Sequence, residues 1–157
     1  MPPKNAAAAE AVDTETVSFG GLNEILGFRV RMAHTTMYRD FSAELSGLGL
    51  TQKQCATLWL IHANPGASQA SLAGVLNMDR ATMMAIIDRL EEGGLVLRKR
   101  SLADRRRQEL YLTPAGQKVL AKARAAVARH EQRFTARFTR AELDALLSAL
   151  GKLAAID

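Results

Sequence analysis

Between Thr51 and Gly94 the chain carries three helix-start signals, each followed by a stop, which leaves room only for short helices joined by sharp turns. Thr51 opens T-Q-K-Q, in which the Thr51 hydroxyl can receive the Gln54 amide while the Gln54 side chain reaches back, a capping box. Asn64-Pro65-Gly66 stops that helix. Ser68 caps a second one, which ends in a turn at Asn77-Met78. Asp79 caps a third, and Gly93-Gly94 terminates it because glycine tolerates the left-handed conformation. Periodicity turns Cys55, Leu58 and Ile61 inward from the first helix, Leu72, Ala73, Val75 and Leu76 from the second, and Met83, Ile86, Ile87 and Leu90 from the third.

The flanks read as longer helices. Leu22, Leu26, Val30, Ala33, Met37, Phe41 and Leu45 recur at threes and fours, one stripe of an amphipathic helix over 22–45 that Gly47 and Gly49 end. After Gly94, two β-prone runs, Leu95 to Arg100 and Gln108 to Leu112, form a hairpin. Thr113-Pro114 then starts a helix with proline at its first position, carrying Val119, Ala123, Val127, Phe134 and Phe138 on one side. A second capping box, T-R-A-E at Thr139 to Glu142, opens a last helix with Leu143, Leu146, Leu147, Leu150 and Leu153. The fold class is therefore mainly α with a small β-hairpin wing. Residues 1–17 lack a periodic apolar face and are expected to form a disordered tail.

The hairpin connection is strongly basic. From Arg98 to Arg107 the sequence is R-K-R-S-L-A-D-R-R-R, a local balance of +5 that equals the formal net charge of the 157-residue chain. Such a concentration suits a polyanion, and duplex DNA above all, because each neutralised phosphate releases condensed counterions. The bland reading is a solvated loop. The order helix, short helix, turn, helix, hairpin is that of a winged helix-turn-helix, in which the third helix lies in the major groove and the hairpin tip reaches a minor groove. On the helix from Asp79 to Glu92, Arg80, Ala81, Thr82, Met84, Ala85, Asp88 and Arg89 face outward, with Arg80 and Thr82 nearest the groove. Ser68, Gln69 and the first amides of their helix can hold a phosphate. Asp104 is expected to hold Arg105 or Arg106 in a fixed fork geometry; the alternative is a loop aspartate that favours a turn.

The segment from Leu50 to Gly116 resembles the MarR family of bacterial transcriptional regulators. The resemblance rests on L-T-Q-K-Q (50–54), S-Q-A-S-L-A (68–73), D-R-A-T (79–82), D-R-L-E (88–91), G-L-V-L-R (94–98), D-R-R (104–106) and L-T-P-A-G (112–116). It implies a homodimer with a winged helix in each subunit, acting on double-stranded DNA and often as a repressor relieved by a small ligand. By this likeness Asp104 is the wing aspartate, Arg105 and Arg106 are the minor-groove arginines, and Arg80, Thr82, Met84 and Ala85 fall at recognition-helix positions. Arg89 and Arg107 complete the expected DNA-binding set with Ser68 and Gln69. Ala81 and Ala85 depart from the family pattern, so thymine-methyl contacts and shape readout carry more of the specificity.

The stripes on the first and the two terminal helices exceed what a winged helix needs, and intertwining with a second copy would bury them. This divides the chain into a tail (1–17), a helical dimerisation region (18–48 and 114–157) and a DNA-binding domain (49–113). Two-fold symmetry then implies a pseudo-palindromic operator; the alternative is a monomer whose helices cover their own core. The resemblance implies an effector pocket walled by His34, Met37 and Tyr38 from the first helix and by Cys55 and Trp59 from the Thr51 helix, suited to an aromatic or lipophilic molecule. Effector binding is expected to change the spacing of the two recognition helices.

Other chemistry finds little support. Cys55 is the only cysteine, so no internal disulfide forms and a reducing cytoplasm is expected. Its place on an apolar helix face favours inert packing over a redox switch. No apolar run approaches a membrane span. His130-Glu131 begins an H-E-x-x-H pattern, but Phe134 stands at the second histidine position. Neither a phosphate-cradling glycine loop nor G-x-S-x-G is present. No catalytic residue, metal or cofactor is expected. The rival readings are an effector-independent or architectural DNA-binding protein and a small metal-dependent enzyme.

Overall fold

The computed structural model describes residues 17–102 and 107–154. Contacts divide the chain into two compact units, Met1–Thr35 and Thr36–Asp157. In the first, Gly20 and Gly21 both have positive φ and lead into a single 3₁₀ turn, Leu22–Glu24. Ile25 is then extended, so the first long helix, α1, runs Leu26–Ser46 and not from Leu22 as its stripe suggested. Two local contacts hold this entry: the Phe19 and Phe28 rings meet edge-on at 5.8 Å, and the Arg29 Nε donates to the Asn23 carbonyl at 2.7 Å.

The second unit takes the remainder of α1 and then α2 (Gln52–Ala63), α3 (Gln69–Val75), α4 (Arg80–Glu92), strands β1 (Val96–Arg100) and β2 (Gln108–Leu112), α5 (Pro114–Thr135) and α6 (Arg140–Ala154). The caps form where side-chain chemistry demands them. Gln54 donates its amide to Thr51 Oγ1 and accepts the Thr51 amide on Oε1, completing the box. Ser68, Asp79 and Thr113 each accept the backbone amide three residues on. At α6 Thr139 and Glu142 cap each other in the same way.

One core joins α2, α3, α4, α5, the hairpin and the end of α1 at Leu45. Leu58 and Ile61 of α2, Leu72 and Ala73 of α3, Met83, Ile86, Ile87 and Leu90 of α4, Val96 and Leu110 of the hairpin, and Leu120, Ala123 and Ala126 of α5 are all buried together. Val75 corrects the expected inner face of α3: it is 70% exposed. At 100° per residue it lies off the arc of Leu72 and Ala73, the two residues that α3 buries, toward which the half-buried cap residue Leu76 also turns. Phe138 also departs from expectation. Helix α5 ends at Thr135, so Phe138 sits in the connection to α6, 42% exposed.

The antiparallel hairpin pairs Val96 with Leu112, Arg98 with Leu110 and Arg100 with Gln108. A bridge the sequence did not signal extends it: Gly66 N donates to Leu110 O and Leu110 N donates to Ala67 O, at 2.9 and 3.1 Å. This stitches the hairpin base to the chain entering α3. The other anchor is the start of α5. Thr113 donates its hydroxyl to the Gly94 carbonyl at 2.6 Å and its amide to Leu95 O at 3.0 Å. Here Gly116 packs so closely that a Cβ would stand 2.0 Å from Leu95 O.

A polar clamp between α1 and α5 was likewise unforeseen. His130, only 2% exposed, shares a 2.6 Å hydrogen bond through Nδ1 with Asp40, and its ring lies between Phe41 and Phe134. Arg133 bridges Asp40 and Glu44 at 2.7 and 2.8 Å, and Arg129 reaches Glu44 at 3.0 Å. The Arg133 guanidinium and then His130 hold the Asp40 carboxyl below the usual carboxylate range; Arg133 does the same for Glu44.

Two outcomes follow from this packing. Gly116→Ala should destabilise the fold by about 1–3 kcal/mol, the range for overpacked sites, read as a lowered denaturant midpoint at unchanged slope. Because Asp40 and Glu44 have lowered folded pKa values, their contribution is complete above the ordinary carboxylate range and is lost as pH falls through the lowered values. Denaturation followed into acid should show that loss, and Asp40→Asn should flatten it.

Candidate nucleic-acid interface

The burial of Met83, Ile86, Ile87 and Leu90 fixes the rotation of α4, and so determines what the helix presents. Arg80, Ala81, Met84, Ala85 and Arg89 are exposed, while Thr82 and Asp88 are half-buried. Three of the expected contact groups are already engaged. Asp79 accepts both the Thr82 amide and the Thr82 hydroxyl, bonds that hold the Asp79 carboxyl below its usual range. Thr82 therefore offers its methyl and an acceptor lone pair outward, not a donor. Gln69 Nε2 reaches the Arg80 carbonyl at 3.5 Å and ties the starts of α3 and α4 together. Ser68 Oγ, the cap of α3, is 2.8 Å from Ser71 Oγ.

The basic run is less free than its composition suggests. Arg98 is turned back onto α4, where its guanidinium pairs with Asp88 and Glu91. Its backbone amide also donates to Glu91 Oε1 at 3.3 Å. Lys99 stands over the Tyr111 ring at 5.0 Å from the centroid and lies opposite Glu109 in the ladder. Tyr111 donates its hydroxyl to Glu109 at 2.8 Å, which pushes the phenol pKa up; the Ser101 hydroxyl and then Tyr111 hold the Glu109 carboxyl down. Arg100 and Arg107 are exposed, and Arg107 approaches the Gly66 carbonyl at 3.5 Å. Asp104, Arg105 and Arg106 lie outside the described residues.

The residues expected to wall an effector pocket separate into two grooves. Cys55 and Trp59 line an apolar one of about 320 Å³ with Phe41, Leu76 and Val127. Tyr38 lines a more polar one of about 410 Å³ with Lys53, Thr82, Ala85 and Arg89. Gln52 lines both, so the grooves adjoin. Met37 is half-buried and lines neither; His34 belongs to the N-terminal unit. Cys55 is 2% exposed, and burial pushes its thiol pKa up, so it is un-ionised at neutral pH. Beside the apolar groove Arg124 stacks on Trp59 at 4.7 Å. That stacking escaped the sequence reading, as did Lys53. Among the described residues, no group of three or more His, Cys, Asp or Glu side chains is arranged to hold a metal, and no helix is long and apolar enough to cross a membrane.

A model described as the MarR family matches residues 50–107. A Thauera aromatica protein described as a putative transcriptional regulatory protein for the hcr operon is 36% identical over 152 residues, covering 96% of this chain and 88% of its own. The transcriptional repressor CouR bound to a 23-mer DNA duplex is similar at a TM-score of 0.84 and 40% identity, covering 88% of this chain and 98% of that one. CouR bound to p-coumaroyl-CoA is similar at 0.81 and 37%, covering 90% and 99%.

Arg80 is exposed at the start of α4, and we propose it as a base contact. Arg80→Ala should relax preference at one operator position by about 1–3 kcal/mol, as expected for loss of a bidentate contact to guanine. Binding measured across a set of single-base operator variants checks this. Equal weakening on every duplex would make Arg80 a backbone contact instead.

Proposed function

The chain belongs to the MarR family of transcriptional regulators and is a DNA-binding regulator, not an enzyme; from that premise we propose a homodimeric repressor that leaves its operator when it binds an aromatic acyl thioester of coenzyme A. The observation that carries DNA binding is the joining of an outward-facing α4 and a basic hairpin in one packed body, in a chain 40% identical to a repressor held on duplex DNA. Ser68, Gln69, Arg80, Thr82, Met84, Ala85, Arg89 and Arg107 are its proposed contacts, with Arg105 and Arg106 at the wing tip oriented by Asp104.

Dimerisation is supported by apolar surface the single chain leaves open. No residue of α6 is buried, and Leu146, Leu147, Leu150 and Leu153 are 38–58% exposed. Val17, Phe19, Leu22, Ile25 and Leu26 are also exposed in the N-terminal unit. A second copy of the same chain is the simplest cover for so much apolar area, and it would set two recognition helices about 34–36 Å apart on a pseudo-palindrome.

The paired grooves support this ligand class. The apolar one suits an aromatic acyl group, and the neighbouring one brings Lys53 and Arg89 to a polyanionic tail. A ligand spanning both at Gln52 would cover Thr82, Ala85 and Arg89, which are also proposed DNA contacts. Release would then come from direct occupation of the recognition surface, without a change in helix spacing.

Selection of genomic fragments on the purified protein, followed by titration of the recovered duplex with p-coumaroyl-CoA, p-coumarate and coenzyme A separately, tests this reading. The thioester should displace DNA where the free acid and coenzyme A alone do not. Displacement by the free acid alone would overturn the thioester class, and no displacement by any of the three would remove the effector. Sedimentation should give twice the chain mass; a monomer that still binds the selected duplex would overturn the dimer.

A further inference from the structure

We propose that Arg98 is a positioning residue that sets the register between the recognition helix and the wing, so that it governs sequence preference without touching DNA. This rests on the proposed DNA contacts of α4 and the hairpin. Asp88 and Glu91 stand three residues apart on α4 and so share one face of the helix. Arg98 spans them with the two ends of its guanidinium, and its own backbone amide adds a third bond to Glu91. A rigid planar fork held at two carboxylates restricts both sliding along the helix and rotation about it.

The position in the sheet matters as much as the chemistry. Arg98 pairs with Leu110, the residue whose backbone is bridged to Ala67 at the entry to α3. Leu110 is 1% exposed. The strand is thus fixed to the body on one side by Leu110 and to α4 on the other by Arg98. The Arg98 side chain is 21% exposed, against 48% for Asp88 and 38% for Glu91. Ion pairs this open to water add little stability. What they do provide is one fixed offset between two elements that read neighbouring grooves.

Charge separates this role from a phosphate contact. Arg98→Lys keeps the charge but loses the fork. It should lower affinity for a duplex selected on the wild-type protein by about tenfold, the scale of one lost base-pair preference. Affinity for a scrambled duplex of the same composition, and the salt slope on both, should not change. The double substitution Asp88→Asn with Glu91→Gln is a second, near-isosteric route. It removes two negative charges from a DNA-facing helix, so simple electrostatics would strengthen binding to every duplex; the register role requires weaker binding to the selected duplex alone. Circular dichroism and the thermal midpoint confirm that each variant is folded.

Wild-type preference on the selected duplex in Arg98→Lys, or stronger selected-duplex binding in Asp88→Asn/Glu91→Gln, overturns the proposal. So does an equal loss on both duplexes in Arg98→Met with a salt slope reduced by about 1, which would make Arg98 a phosphate contact. A wild-type protein that does not discriminate the two duplexes fails at the earlier step, as a sequence-specific binder, before any variant is compared.

Discussion

The burial of four apolar side chains along α4 is the constraint on which the remainder depends. Met83, Ile86, Ile87 and Leu90 are each no more than 8% exposed, and together they admit one rotation of the helix about its axis. That rotation turns Arg80, Met84, Ala85 and Arg89 outward, and it also turns Asp88 and Glu91 toward the hairpin, where Arg98 meets them. A shift of one residue in the stripe would bury Met84 and expose Met83, and with it would move both the DNA-facing set and the acceptors of Arg98. Hydrophobic burial has no direction of its own, but applied to a 3.6-residue repeat it assigns every side chain of the helix an azimuth.

Electrostatics works on a finer scale than net charge. The run from Arg98 to Arg107 carries a balance of +5, yet Arg98 is paired with two carboxylates and Lys99 lies against Tyr111 opposite Glu109. Within β1, Arg98 and Lys99 serve the hairpin and its attachment to α4. Arg100 at the end of β1 and Arg107 just before β2 are exposed. Distance from the core decides the division, because a guanidinium beside half-buried carboxylates gains charge-assisted hydrogen bonds that one surrounded by water does not.

Local signals made much of the fold legible. The caps at Thr51, Ser68, Asp79, Thr113 and Thr139 act over three residues, and each can be read without knowing the rest of the chain. The inner faces of α2 and α4 follow from periodicity alone. What the sequence concealed depends on partners distant in the chain. Arg98 looked like one more cation in the basic run because its acceptors sit on another element. His130 looked isolated among three scattered histidines, although its place between Phe41 and Phe134 comes from α1 crossing α5. Ala67, which bridges to Leu110 of β2, lies outside both strands and has no pattern to announce it. Val75 and Leu22 show the opposite limit, where an apolar residue does not follow the face that is buried: Val75 ends α3 on its exposed side, and the turn after Gly21 ends in an extended Ile25 before α1 begins.

The two grooves beside α2 suggest why such a scaffold lends itself to regulation. A surface that attracts a phosphate backbone attracts any polyanion, and Lys53 and Arg89 line a groove shared with Thr82 and Ala85 of α4. On the proposed reading, discrimination between DNA and effector cannot come from the cations, which favour both. It must come from the apolar groove at Phe41, Cys55 and Trp59, which a duplex has nothing to fill and an aromatic acyl group does. Burial of the ring would bring the anionic tail to the cations at high local concentration, so a modest apolar gain could outcompete a ligand that makes more charge contacts but lacks the anchor. Binding energy and displacement would then reside in different halves of one small molecule.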